Sequence, residues 1–349
     1  MNENENKLLK IKLFSSNNKT MSNDEKIKEI ILKNRPKLSM GSMNTYMASY
    51  RKIRKDSGVS VDTEKDIIDN YEKILKYMID TMTPNIRKSK IASLVIIIDD
   101  KKDGDKEKDI ALEAFRKQMS VDGTVVNKKY DSQELSDKQK KNFIPLEEVR
   151  KIYNELKSQA IPLFKFNNLN KAQFNLLQSY VLLSLYMLIP PRRSTDYAFP
   201  FKIRNFDSSP QSVDNYMFNF NRSKKKPASF VFNTYKNSNR MGRQIIDIPK
   251  PLEKIITEWS KFNKSDYLLV NNAGNNVAPS KITLWLNQIF NKQISSSMLR
   301  HIFLSDKYAN VNLQDLKDTA ESMGQSDITT ALRYVQKNSD QVVEENQKK

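Results

Sequence analysis

Four residues in the C-terminal part of the chain combine a reactive or phosphate-binding chemistry with a definite order. They are Arg193 in IPPRRSTDY, Lys236 in FNTYKNSNRMGRQIIDIP, Arg300 in SSSMLRHIF and Tyr334 in ESMGQSDITTALRYVQ. An arginine fork can bind two nonbridging phosphate oxygens at once and stabilise charge that builds on them. A lysine adds a further positive charge, and a tyrosine oxygen can serve as a nucleophile. Each residue also has an ordinary structural alternative. Arg193 could sit on a turn paired with Asp196, and Arg192 stands beside it as a competitor for its role. Most hairpin lysines are only solvated. A tyrosine is most often a core residue, which is the expectation for Tyr180, Tyr186 and Tyr267.

The composition narrows the field. The 349 residues carry 59 Lys plus Arg against 41 Asp plus Glu, a formal charge of +18. Such an excess is the footprint of a polyanion partner, because basic side chains that neutralise phosphates release condensed counterions. A Lys-rich surface that serves only solubility is the plainer alternative. The chain has no cysteine, which excludes disulfides and thiolate metal sites, and its one histidine, His301, excludes His-rich zinc sites. No metal or organic cofactor is expected. The longest mostly apolar runs, Ile91 to Ile98 and Val181 to Ile189, fall well short of the roughly 20 residues a spanning helix needs. The N-terminus has no signal-peptide character, so the expectation is an intracellular protein without a membrane partner.

The elements that must position the four residues can be read from periodicity. Residues 1–25 lack a sustained apolar period and read as a mobile, basic arm. Residues 26–120 read as a helical domain. Met43, Tyr46, Met47, Tyr50 and Ile53 fall at helical spacing, and Thr63 with Asp66 has capping-box spacing ahead of Ile67, Tyr71, Ile74 and Met78. A third helix opens at Pro84, and a weaker fourth covers Ile110 to Met119. From 121 to 142 the period lapses and the stretch reads as a polar linker. The domain from 143 to 337 begins with a helix after Pro145 and includes a long apolar helix over Ala172 to Leu188, ended by Pro190 and Pro191. Alternation at Tyr216, Phe218, Phe220, then Phe230, Phe232, Thr234, then Ile246, Ile248 predicts three short antiparallel strands. Helices resume over 252–259, 281–290, 297–304, 313–323 and 328–335, followed by a tail at 338–349. The fold class expected is mainly α with a small antiparallel sheet.

In this order and context the C-terminal domain resembles the catalytic domain of the tyrosine recombinases, the phage-integrase family, and most closely its versions in large DNA viruses and virophages. The resemblance spans about 144–337. The preceding helical domain looks like that family's core-binding domain, on the segment LSMGSMNTYMASYRKI and on helix order. The resemblance implies that Arg193, which has the family's acid three residues on at Asp196, and Arg300 clamp the scissile phosphate. It implies that Lys236 protonates the departing 5′ oxygen and that Tyr334, ten residues after Gly324, is the nucleophile. Two departures stand out. Ser297 occupies the place of the first histidine of the family's H-x-x-R pattern, and Gln325 stands where the family has His or Trp. A serine hydroxyl can donate a hydrogen bond to phosphate but cannot carry positive charge. His301 is expected to be a packed or supporting residue.

The implied activity is site-specific cleavage and rejoining of double-stranded DNA through a 3′-phosphotyrosyl link, by a homo-tetramer on DNA, without metal or ATP. If the chain is viral, a host nucleus or viral factory is the implied compartment. Arg192, Lys224, Lys225 and Lys226 of the C-terminal domain and Arg87, Lys88 and Lys90 of the helical domain are further candidates for DNA contact. Three rivals remain: a DNA-binding protein of the same fold with lost catalysis, a type IB topoisomerase, and an unrelated basic helical RNA binder.

Overall fold

The computed structural model describes residues 21–98, 104–132, 134–219, 227–307 and 313–324, with side chains left out at 131 and 313–317. The chain divides into two compact units, Met1–Asp131 and Ser132–Lys349. No helix among the described residues is long and apolar enough to cross a membrane.

The first unit is helical. It comprises α1 (Asn23–Asn34), α2 (Met40–Asp56), α3 (Glu64–Asp69), α4 (Tyr71–Thr81), α5 (Pro84–Ile97) and α6 (Lys106–Asp131). Helix α1 starts inside the segment expected to be an arm, because Ser22 and Glu25 close a capping box that satisfies its first amides. Ile27 and Ile31 of α1, Met43, Met47, Tyr50 and Ile53 of α2, and Ile91, Leu94 and Ile97 of α5 meet in one apolar core. The helix expected from Thr63 is capped by Thr63 and Asp66 but breaks at Asn70 into α3 and α4.

The largest departure is α6. The stretch 121–131, expected to be linker, continues the helix begun at Lys106. The apolar period lapses because a buried position is held by a carboxylate. Asp122 is fully buried and accepts from Arg87 Nε (2.8 Å), from Arg87 Nη2 and from Gln118 Nε2 (3.1 Å). Arg87 Nη1 also donates to the Met82 carbonyl at the end of α4, at 3.0 Å. A charged pair thus does the packing that a reading by apolar spacing assigns to hydrophobic residues.

The second unit contains α7 (Asp137–Asn142), again in the expected linker, then α8 (Leu146–Ala160), a 3-10 turn (Ile161–Lys165) and α9 (Lys171–Met187). Helix α9 is buried on nearly all sides from Leu177 to Tyr186, as an apolar helix at the centre of a domain must be. Around it come α10 (Ser194–Ala198), α11 (Ser238–Met241), α12 (Lys250–Phe262), α13 (Pro279–Phe290), α14 (Ser296–Lys307) and α15 (Leu313–Ser322). Trp259 of α12 packs against Phe174 in a tilted pair, with ring centroids 4.8 Å apart, and donates its indole N–H to the Leu268 carbonyl at 2.8 Å. Tyr180 and Tyr186 are buried in this core and Tyr267 packs against it, as expected of ordinary aromatic residues.

The sheet has four strands in the order β1 (Phe201–Lys202), β2 (Asn215–Phe218), β3 (Ser229–Phe232) and β4 (Gln244–Asp247). The three expected strands are antiparallel neighbours, with Phe230 opposite Met217 and Ile246. The fourth, β1, pairs parallel to β2. Two residues are too few to show alternation, so this strand exists only through its tertiary pairing. The fold is mainly α with a small mixed sheet.

Candidate active site

The first arginine motif follows α9 as an extended turn. Pro190 and Pro191 stop the helix, and Arg193 is the N-cap of the short helix α10. The two adjacent arginines then part company. Arg193 is half-buried, while Arg192 is fully buried. Arg192, and not Arg193, pairs with Asp196, its Nε donating to Oδ2 at 3.0 Å. This corrects two expectations: the carboxylate three residues after Arg193 serves its neighbour, and the Arg192 guanidinium is taken up by Asp196 and the Phe232 ring rather than displayed for DNA. Four residues apart on a turn that enters a helix, Arg192 and Asp196 face each other as an i, i+4 pair. Burial lowers the pKa of the Arg192 guanidinium, opposed by the Asp196 charge.

The second motif lies where β3 leaves the sheet. Phe232 and Tyr235 are buried, and Lys236 is exposed. The Tyr235 hydroxyl donates to the Gly242 carbonyl at 2.8 Å and closes the β3–β4 connection behind the lysine. The third motif is helix α14. Arg300 is buried at 2% exposure, and its Nη2 donates to the Ser297 hydroxyl at 2.9 Å. Ser297, at the place expected to support a phosphate clamp, is exposed and engaged by the arginine one helical turn on.

Hydrogen bonds tie these distant segments together. The Ser194 amide donates to the Ser296 hydroxyl at 3.1 Å, joining the first motif to the third. Arg193 Nη1 donates to the Gly324 carbonyl at 3.3 Å, and Asn237 Nδ2 donates to the same oxygen at 2.8 Å, joining the first and second motifs to the fourth. Tyr186 lies among them. Burial pushes its phenol pKa well up, Asp196 raises it further, and Arg300 opposes. Burial likewise raises Tyr197 and Tyr235. The Tyr186 and Tyr197 hydroxyls are buried away from solvent, and the Tyr235 hydroxyl is engaged by the Gly242 carbonyl.

Gly324 has φ +69°, the left-handed conformation that ends many helices and suits glycine. Gln325 and Tyr334 follow it and lie outside the described residues, as do Lys224, Lys225 and Lys226.

In the helical unit, Arg87 is consumed by Asp122 and the α4 carbonyls, which removes it as a DNA contact. Lys88 is half-buried beside α6. Lys90 borders an open groove of about 820 Å³ between α2 and α5, lined also by Asn44, Thr45, Lys52, Asn85 and Ser89. Asn44, Thr45 and Lys52, the last paired with Asp56 at 2.7 Å, were not among the residues singled out from the sequence. Their signal is a polar face on α2, opposite its apolar stripe.

No protein-family model matches the chain, and no curated protein matches it. Among solved structures the chain is similar to one described as the crystal structure of XerA recombinase, with 12% identity, a TM-score of 0.39, and coverage of 92% of this chain and 96% of that one.

Proposed function

We propose that the chain is a DNA strand transferase of the tyrosine-recombinase type. One observation carries the reading: Arg193, the Lys236 turn, the Ser297–Arg300 helix and the helix end that precedes Tyr334 are linked by direct hydrogen bonds, though up to 131 positions apart in sequence. Two arginines and a lysine on one such cluster suit a phosphodiester. In the proposed reaction the Tyr334 hydroxyl gives its proton to solvent water as its oxygen forms a bond to the scissile phosphorus and the bond to the 5′ oxygen breaks. Arg193 and Arg300 neutralise the equatorial oxygens, and Lys236 gives its proton to the departing 5′ oxygen. The phosphoester is exchanged for another, so a 5′ hydroxyl can later reverse the attack without ATP. Double-stranded DNA is the substrate, and four protomers on two duplexes would complete strand exchange.

The experiment is trapping on nicked duplexes taken from the ends of the element that encodes the protein. A labelled strand should shift to a slow, protease-sensitive band on a denaturing gel. Absence of that band on every such duplex, with DNA binding retained, would make the chain a DNA-binding protein of this fold. Lys236→Ala should slow trapping on ordinary DNA by about 10²-fold or more, the range for loss of a general acid. A bridging 5′ sulfur, which leaves without protonation, should restore most of the rate. No rescue would assign the proton to another group.

The charge of +18 makes a separate expectation. Duplex affinity, followed by fluorescence anisotropy, should fall by about 10³ or more between roughly 50 and 200 mM salt, the loss for six or more phosphate contacts. A nearly flat response would remove the electrostatic argument for DNA.

A further inference from the structure

Arg192 has no part in the reaction proposed above, because its guanidinium is already engaged inside the fold by Asp196, Gln244 and the Ser322 carbonyl. Its contacts point elsewhere. Besides the bond to Asp196, Nη1 donates to the Gln244 side-chain oxygen at 2.9 Å and to the Ser322 carbonyl at 2.7 Å. The guanidinium stacks 3.9 Å from the centroid of the Phe232 ring. Gln244 in turn donates to the Glu321 carbonyl at 2.8 Å.

The last carbonyls of an α-helix have no donor within the helix. At the end of α15 the Glu321 carbonyl accepts from the Gly324 amide at 2.9 Å, and further donors come from three other parts of the fold. Gln244 of β4 takes Glu321, Arg192 takes Ser322, and Asn237 with Arg193 takes Gly324. The fit is close. A Cβ at Gly324 would lie 2.8 Å from Arg192 Nη2 and 3.3 Å from the Tyr235 ring. The guanidinium cannot step aside, being held by Asp196, Gln244 and the Phe232 face. Glycine at 324 therefore has two causes, its backbone angle and the arginine against it.

We propose that Arg192 is a positioning residue which, through Gln244 and the Ser322 carbonyl, docks the end of α15 beside Arg193, so that the chain leaves Gly324 toward Tyr334 from one defined place. The functional half of this inference rests on the strand-transfer reading; the docking half does not. The neighbouring arginines divide the work. Arg193 makes the longest of these bonds, and Asn237 holds the same carbonyl more closely. Arg193 can therefore turn to a phosphate without undocking the helix.

The test uses the full chain with Gln244→Ala and Arg192→Lys. Gln244 is only half-buried, and lysine retains the charge opposite Asp196, so both variants can fold. Hydrogen–deuterium exchange at amides 319–324 should rise by about tenfold, the order expected for losing one or two hydrogen bonds, with exchange in α9 and α12 unchanged. The rate of adduct formation on the nicked duplex should drop at least as far, with duplex affinity unaltered. Unchanged exchange at 319–324 would overturn the docking. Raised exchange with a wild-type adduct rate would overturn the positioning role. A rise throughout the second unit would make Arg192 a general stability residue and overturn the inference as well. If the unmodified protein forms no adduct, the strand-transfer reading and the role toward Tyr334 both fall, while exchange still decides whether Arg192 docks the helix.

Discussion

Tyr334→Phe should abolish the covalent protein–DNA adduct expected on a nicked duplex, by at least about 10⁴-fold, the scale on which loss of a nucleophile acts. Duplex affinity stays within about twofold, because neutral phenol and phenyl differ by one hydroxyl while binding rests mainly on cation–phosphate contacts. The effect is large because the substitution removes the attacking oxygen itself. Tyr186, Tyr197 and Tyr235, which surround the arginine cluster, are buried, with pKa values raised by burial. Arg193→Ala and Arg300→Ala should also lose the adduct, each with some loss of affinity, since a phosphate clamp acts in both binding and reaction. A denaturing gel of labelled DNA with the unmodified protein and the Tyr334→Phe variant side by side decides the matter. A persistent adduct in the variant would place the nucleophile elsewhere.

Asp122→Ala should destabilise the helical unit by about 3–5 kcal/mol, the cost of leaving a buried charge without its partner. Arg87 is 8% exposed and Asp122 fully buried, so water cannot replace the lost carboxylate. Arg87 would retain its carbonyl contacts at the end of α4, which hold it inside and prevent easy escape to solvent. Urea unfolding followed by helical circular dichroism should show a transition for residues 21–131 at much lower denaturant, with the second unit unchanged. A shift worth less than about 1 kcal/mol would show that Arg87 finds solvent in the variant.

What the sequence determined by itself is the local order. Helical periodicity and capping pairs located α2, α5, α9 and α12, and alternation located β2 and β3, because spacing of apolar side chains depends only on neighbours along the chain. The residue types of Arg193, Lys236 and Arg300 marked the candidate site. The continuation of α6 was illegible because its buried position is an aspartate whose partner lies 35 residues earlier. The two-residue strand β1 has no period to read. Only the tertiary structure decided between Arg192 and Arg193. Both are arginines at one turn, and nothing local says which will meet Asp196, Gln244 and Ser322 and which will stay within reach of solvent. That choice depends on bonds spanning up to 131 residues, which commit Arg192 to Asp196, Gln244 and the Ser322 carbonyl and leave Arg193 half-buried with one longer bond to the Gly324 carbonyl.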